Sequence, residues 1–475
     1  MLNDIFNIML PQFSLGGFII LLLVLSMVLS PRVYKYARLI SITGIAITTI
    51  LLSTVQIEPQ YFGFQNSIMA DSYTLLFDFV ILLSGFLVSL LSKNLIKTVK
   101  RHAYTFHAIL LTAILGAISA VSANDFLTLL VSVELLGFST YFLISVSKGY
   151  YSKQAAFKYL ITSAVSTGIF LFGVSYLYGI CGSINFSYIY EFITKNDVSI
   201  LYSLSAILII LGLVSKLAVF PFANWIIDVY KNSETSALAF LSSIPKLAMF
   251  GIICRLIVFP LSNSIELTFV VCIVALVTAF WANTYAIREN NVKAILACSA
   301  SANSSYAILT ASLVSVYNLS TVIFYLICYT IMNIGAFAFL NMLGENNSFE
   351  LKSFQGLYYK NKKSVLAFSL ILVGLAGLPI TSGFIAKIYL FSAIANSGFI
   401  FLTFLIGLLI LNIIAVYYYL KILFPMFSDN MAEETELKIN FSQRFVLCAA
   451  AIITLVIGLY PETLIKLCRL IAYNI

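Results

Sequence analysis

Residues 126–145 read FLTLLVSVELLGFSTYFLIS, an apolar stretch carrying one charge, Glu134, near its middle. About 20 mostly apolar residues cross the hydrocarbon core of a bilayer as a helix. An ionised side chain at that depth costs roughly 2.5–3.5 kcal/mol on insertion scales, so Glu134 reads as functional rather than incidental. The stretch belongs to a series. Fourteen apolar runs can be read, at 13–29, 38–57, 72–91, 104–121, 125–145, 157–180, 202–222, 237–259, 267–286, 294–312, 319–341, 364–391, 400–424 and 445–466. Of 475 residues, 61% are hydrophobic and 10% charged, with a mean hydropathy of +1.02. A soluble domain of this length needs far more polar surface. The chain therefore reads as an all-α polytopic membrane protein. The first run has no upstream positive cluster and no small-residue cleavage site, so it reads as a retained span.

The loops alternate in charge. Odd-numbered loops hold Arg32, Lys35 and Arg38, then Lys93, Lys97, Lys100 and Arg101, with later clusters at Lys148 and Lys153, Arg288 and Lys293, Lys360 to Lys363, and Lys438 and Arg444. Even-numbered loops contain only Lys195. By the positive-inside rule the odd loops face the cytoplasm or matrix and both termini lie outside. The net charge of +8 is then a topological signal that needs no nucleic-acid partner. Lys466 and Arg469 fall on the opposite side. The two longest loops, 342–363 and 425–444, read as short surface helices and are too short for a domain.

Several chemistries are excluded. The seven cysteines are scattered without a CxxC, which argues against an iron–sulfur or zinc framework. His102 and His107 are the only histidines, so a haem or His-based metal site is not expected. No GxGxxG follows a strand and no GxxxxGK[ST] occurs, leaving no nucleotide site.

The charges inside the runs remain. Glu134 lies in run five, Lys216 in run seven (ILIILGLVSKLAVFPF), Lys246 in run eight (ALAFLSSIPKLAMFGIICRL) and Lys387 in run twelve (ILVGLAGLPITSGFIAKIYLFSA), while Lys158 opens run six. One such lysine alone reads as a snorkelling anchor. A glutamate and several lysines in separate spans make more sense together, because contact offsets each group's desolvation and separation then controls where the proton goes. Runs seven and twelve are also interrupted, by Pro221 and by Gly377-Leu378-Pro379 with Gly383. Such breaks are tolerated where protein or a wet cavity supplies backbone partners. Two broken spans five apart, each with a lysine, suggest two inverted five-helix repeats, at 104–259 and 267–424, within one membrane domain.

Six ordered segments carry a family resemblance: SANDFLTLLVSVELLGFSTYFLIS (122–145), AAFKYLITSAVSTGIFLFGVSYLYGICGS (155–183), GLVSKLAVFPFANWIIDVY (212–230), AFLSSIPKLAMF (239–250), NVKAILACSASANSSYAIL (291–309) and GLPITSGFIAKIYLFSA (377–393). Together they resemble the subunit N family of NADH–quinone oxidoreductase, called subunit 2 in mitochondria, over about 120 to 425. The resemblance implies 14 transmembrane helices with helices 7 and 12 broken. It implies a proton relay of Glu134 with its partner Lys216, the central Lys246 and the outward-exchanging Lys387, with Lys158 and Lys293 as further matches. For Lys293, at an inner loop, positive-inside anchoring competes with a relay role. No cofactor is expected in this chain; NADH, FMN, iron–sulfur clusters and quinone belong to partner subunits. Partners would be the other membrane subunits of that complex and the lipid bilayer, in a bacterial or a mitochondrial inner membrane.

The chain departs from the family pattern in two places. PFHxWxPDVYxGAP is here PFANWIIDVYKNSE, with Ala223 for His and Ile227 for Pro, although Trp225 and Asp228 remain; SSxAHxGY is here SASANSSY, with Asn303 for His. Related antiporter-like chains include one with a long lateral helix after its fourteenth span, whereas here about nine residues follow the last run. ELLGFSTY and the Pro before Lys246 favour subunit N over a sodium/proton antiporter subunit. A stand-alone secondary transporter would place Arg, Asn or Gln clusters beside the breaks; only Ser215, Thr381 and Ser382 stand there.

Overall fold

The computed structural model describes residues 9–28, 34–55, 61–99, 102–146, 149–196, 200–262, 264–345, 348–429 and 440–474. Arg32, Lys100, Arg101, Lys148 and Lys438, and most of the 425–444 loop, lie outside these residues. In hydrocarbon every backbone group must find its partner within the protein, so each apolar run closes as a helix. The chain begins with α1 (Leu10–Val28) and α2 (Lys35–Thr54), then a hairpin of β1 (Tyr61–Gly63) and β2 (Ile68–Ala70). There follow α3 (Ser72–Leu91), α4 (Lys93–Val99), α5 (Ala103–Val121), α6 (Phe126–Ser145), α7 (Tyr150–Cys181), α8 (Phe186–Lys195) and α9 (Ile200–Ser215). Next come α10 (Trp225–Asn232), α11 (Thr235–Leu241), α12 (Ile244–Val258), α13 (Ile265–Arg288), α14 (Val292–Ser312) and α15 (Val316–Leu343). The last are α16 (Leu357–Lys360), α17 (Lys362–Ala376), α18 (Ser382–Ala395), α19 (Phe399–Met426), α20 (Phe441–Leu459) and α21 (Glu462–Tyr473).

Each of the fourteen apolar runs forms helix over most of its described residues. Eleven helices among the described residues are long and apolar enough to cross a membrane, α11 and α12 together counting as one, and α9 and α18 are shorter because α9 ends at a break and α18 begins after one. Run ten is α14, whose Ser299, Ser301, Asn303, Ser304 and Ser305 lower its hydropathy but are all buried. Polar residues flanking the runs set helix starts: Asp71 and Asp125 accept hydrogen bonds from the amides of Thr74 and Thr128 at 2.8 and 2.7 Å.

The chain divides into two compact units. The first comprises Met1–Lys216, Ile244–Leu267 and Tyr473–Ile475. Within it α5 packs against α1, α3 and α6, and α7 pairs along its length with α9. Small residues permit these approaches. A Cβ on Gly116 would stand 2.7 Å from the Leu136 amide nitrogen, and one on Gly212 would stand 2.8 Å from that of Phe170. The second unit comprises Leu217–Ser243 and Thr268–Ala472. There α15 packs against α11, α14, α17, α18 and α20, and every residue of α14 is buried.

Helices seven and twelve of the fourteen are broken as the sequence predicts. Helix seven stops at Ser215 and resumes as α10 at Trp225; helix twelve stops at Ala376 and resumes at Ser382. Outside the β-hairpin turn, the non-glycine residues with positive φ among those described are Ala218 (+58°) and Ile380 (+75°), one in each break. Backbone strain of this kind persists where its surroundings enforce it and clusters at functional sites. A third break, between α11 and α12 at Ser242-Ser243, is not anticipated by the reading of run eight. Pro245 causes it, since proline has no N–H to donate to the preceding turn.

Two other corrections follow. Run fourteen does not continue to residue 466: α20 ends at Leu459, and Pro461 separates it from the amphipathic α21, which carries Lys466 and Arg469. The β-hairpin is also new to the sequence reading. Its turn residues Phe64, Gln65 and Asn66 all have positive φ, and Met69 and Asn124 tie it to the start of α6 through 2.8 Å backbone bonds. The 342–363 loop does form short helices, a 3-10 turn at Leu351–Phe354 and α16.

Candidate functional site

In the first unit, α6, α7 and the end of α9 converge on one carboxylate. Glu134 Oε1 accepts from Lys216 Nζ at 2.7 Å and from Thr167 Oγ1 at 2.6 Å. The Lys216 side chain is 8% exposed and that of Glu134 25%. Lys216 is the first residue past α9, and its own amide still donates to Leu213 O at 3.1 Å. Its stem runs beside Gly137, where a Cβ would sit 3.9 Å from Nζ and 3.2 Å from the Tyr141 hydroxyl. Against Glu134, Thr167 and Lys216 lies a cavity of about 10 Å³, walled otherwise by leucines, Val133, Phe170 and Gly212. That is room for about one water molecule beside three polar partners. A desolvated pair stays favourable while its geometry holds, and parting it leaves two uncompensated charges. The arrangement can therefore couple a movement to a proton.

Lys246 is buried in the first turn of α12, just past the Ser242-Ser243 break. Lys158 differs. It lies on the exposed face of α7 beside Phe157 and Ile161, which are themselves exposed.

In the second unit, the break in helix twelve builds a cation site from backbone. Lys387 Nζ donates to Leu375 O at 2.9 Å, to Ala376 O at 3.1 Å and to Asn412 Oδ1 at 2.8 Å. The two carbonyls are the last of α17, which have no helical partner and lie at the negative end of its dipole. The ammonium also stands 5.8 Å over the Tyr306 ring. Gly377, with φ +81°, closes α17 as a left-handed cap, and a Cβ there would come within 2.7 Å of Lys387 Cδ. Conformation and space both require glycine.

Lys293, at the start of α14, is no surface anchor. Its side chain is 2% exposed and its Nζ donates to Glu345 Oε2 at 2.8 Å and to Ser233 O at 2.9 Å. Farther along α14, Asn303 stands where the family pattern has His. Its Nδ2 donates to Ser299 O at 2.9 Å and Tyr419 Oη at 3.3 Å, and its Oδ1 accepts from Tyr325 Oη at 2.9 Å. α14 thus carries Lys293, Asn303 and Tyr306 over about 20 Å at 1.5 Å per residue, ending under Lys387. Asp228 lies in the first turn of α10, and its carbonyl accepts from Asn232 Nδ2 at 2.8 Å.

Among the charged pairs that sequence reasoning missed, one is almost fully buried. In the first unit Arg255 Nη2 donates to both oxygens of Asp71, at 2.9 and 2.7 Å, clamping α12 to the start of α3. Both side chains are almost fully buried. Both residues lie at run ends facing even-numbered loops, which was the available signal.

Residues 123–413 match the family model described as NADH:quinone oxidoreductase/Mrp antiporter, transmembrane. The chain belongs to the NADH:quinone oxidoreductase/Mrp antiporter family. Among similar members of this family, the NADH-quinone oxidoreductase subunit N of Bacillus anthracis is 29% identical, over 96% of this chain and 93% of the relative. That of Anoxybacillus flavithermus is 31% identical, over 96% and 94%. The chloroplastic NAD(P)H-quinone oxidoreductase subunit 2 of Chlorokybus atmophyticus is 32% identical, over 92% and 86%. A chain of respiratory complex I from Thermus thermophilus superposes with a TM-score of 0.83 at 25% identity, covering 97% of this chain and 99% of that one. The Mrp complex of Dietzia superposes at 0.85 with 18% identity, over 100% and 98%, a likeness of fold. This member of the NADH:quinone oxidoreductase/Mrp antiporter family is thus a multi-pass integral membrane protein with the antiporter-like fold.

Proposed function

We propose that the chain works as the proton-translocating subunit N of an NADH–quinone oxidoreductase, coupling electron transfer in other subunits to proton movement. The observation that carries the reading is the 2.7 Å Lys216–Glu134 ion pair at the broken helix, in a chain whose curated relatives bear that subunit's name. Electron transfer between NADH and quinone belongs, in this reading, to partner subunits with their flavin and iron–sulfur clusters. The seven cysteines here are scattered and unpaired, six of them buried, and act as small apolar side chains.

The energy reaches this chain as a changed electrostatic balance. Parting Glu134 from Lys216 favours release of the lysine's proton, which Lys246 takes up; Lys293 and Lys387 carry protons in the second unit. Asn303, Tyr325 and Tyr419 form the hydrogen-bonded side of α14 between those two lysines. Lys387, held by carbonyls of a helix end, gives up its proton on the outer side. Moving one charge against 100 mV costs about 2.3 kcal/mol, a scale that a desolvated ion pair can supply.

A tagged copy of the chain tests this reading when purified from its native membrane. It should bring down the other membrane subunits together with a flavin-containing, NADH-oxidising arm. Recovery as a sodium/proton exchanger with no redox subunits would assign it to the antiporter branch, and recovery alone would make it a stand-alone transporter.

A further inference from the structure

The second unit holds a carboxyl pair that no relay residue accounts for. Glu345, two residues past α15, is engaged on both oxygens: Oε2 accepts from Lys293 Nζ at 2.8 Å, and Oε1 accepts from the Thr235 amide at 2.6 Å and from the Thr235 hydroxyl. Glu234, the N-cap residue of α11, directly precedes Thr235, whose amide and hydroxyl hold Glu345, so the two carboxyls lie side by side. Two carboxyls in such contact disfavour a second charge, and at rest they share one proton. With Glu345 already taken by donors, the proton rests on Glu234, whose O–H donates to Glu345. Burial, and then the Glu345 charge, raise Glu234 to about 7, with Lys293 opposing. Lys231, on the neighbouring α10, is occupied by Glu289 at 2.8 Å.

Exposure gives the cluster a direction. The Glu345 side chain is 30% exposed and Glu234 is half-buried, whereas Lys293 is sealed behind them under the Phe349 ring, 3.8 Å from its centroid. Glu234 and Glu345 follow helices seven and eleven, on the lysine-rich side.

We propose that Glu234 and Glu345 form a one-proton acceptor at the inner mouth of the second unit and reload Lys293 after that lysine passes its proton on toward Lys387. The reloading role rests on the reading of Lys293 as a relay lysine. In the step, the Glu234 O–H bond breaks as its proton moves to Glu345, and a proton leaves Glu345 to form an N–H bond on neutral Lys293. Both carboxylates are then ionised beside one ammonium. Glu234 regains a proton from the inner aqueous phase, closing the cycle.

The test uses the assembled complex. Infrared difference spectra across neutral pH should show a protonated-carboxyl band that titrates near pH 7. Glu234→Gln should remove it and Glu234→Asp retain it. A band unchanged in Glu234→Gln would overturn the shared proton. A proton donor titrating near 7 makes wild-type uptake fall between about pH 6 and about pH 8; in vesicles, Glu234→Gln should slow uptake several-fold at about pH 6 and flatten that profile, because the titratable donor has been lost. A pH profile identical to the wild type would overturn the reloading role. Lys293→Ala separates the two levels: wild-type pumping in that variant removes the relay reading of Lys293, and reloading with it, while the infrared result still decides the carboxyl pair.

Discussion

Lys387→Met should leave an assembled complex that oxidises NADH but moves protons through this chain at least roughly tenfold more slowly, the loss expected when a positioned proton carrier is removed. The variant also strands Leu375 O, Ala376 O and Asn412 Oδ1, each of which now accepts from the ammonium. A buried acceptor left without its donor costs about 1–3 kcal/mol, so a loss of pumping alone could reflect damage to the break. Lys387→Arg distinguishes the two. Arginine keeps a cation and several donors near the α17 carbonyls but does not give up its proton. Its thermal stability should approach the wild type while proton movement stays as low as in Lys387→Met. Wild-type proton movement in Lys387→Arg would make Lys387 a structural cation.

Asp71→Ala should destabilise the first unit by about 3–5 kcal/mol, the cost of leaving one buried charge without its partner. The carboxylate has two duties: it pairs with Arg255 Nη2 through both oxygens, and it caps α3 by accepting from the Thr74 amide. Loss of the cap alone costs about 1 kcal/mol. The double variant Asp71→Asn, Arg255→Met keeps a capping side chain and removes both charges. It should therefore be more stable than either Asp71→Ala or Arg255→Met. Thermal unfolding of the purified complex, read on the yield of intact subunit, measures all three. Losses that simply add, leaving the double variant less stable than either single one, would show that the pair contributes no mutual stabilisation.

The membrane fold was legible because the bilayer imposes a length and a composition on every span. The chemistry was legible where a charge stood in an apolar run. Burial cost showed only that Glu134 needs a lysine among Lys216, Lys246 and Lys387; the family resemblance matched it to Lys216, 82 residues away, with which it is in contact. Helix twelve was equally plain, since Gly377 and Pro379 interrupt it beside Lys387. Contacts among loop residues were not legible. Lys293 reads from sequence as an anchor or a carrier, and nothing near it in the chain points to Glu345, 52 residues away, which holds it. Glu234 stands where the PFHxWxPDVYxGAP pattern ends in proline, and from sequence it reads only as a loop charge. Asp71 and Arg255, 184 residues apart, each pass for ordinary residues at the end of a span. Three-residue strands such as YFG and IMA carry too little periodicity to be read at all. Lys158 shows the opposite limit, because matching a motif position says nothing of which helix face it occupies.

The Glu134–Lys216 contact is the element on which the proposed coupling turns, and a cycle of variants measures it in the function itself. Protons translocated per NADH oxidised are to be compared in vesicles carrying Glu134→Gln, Lys216→Met or both, with assembly verified for each. Residues that act as one unit are non-additive, so each single variant should lower the ratio as far as the double does. A wild-type ratio in either single variant, or losses that simply add in the double, would contradict a proton switch built from this pair.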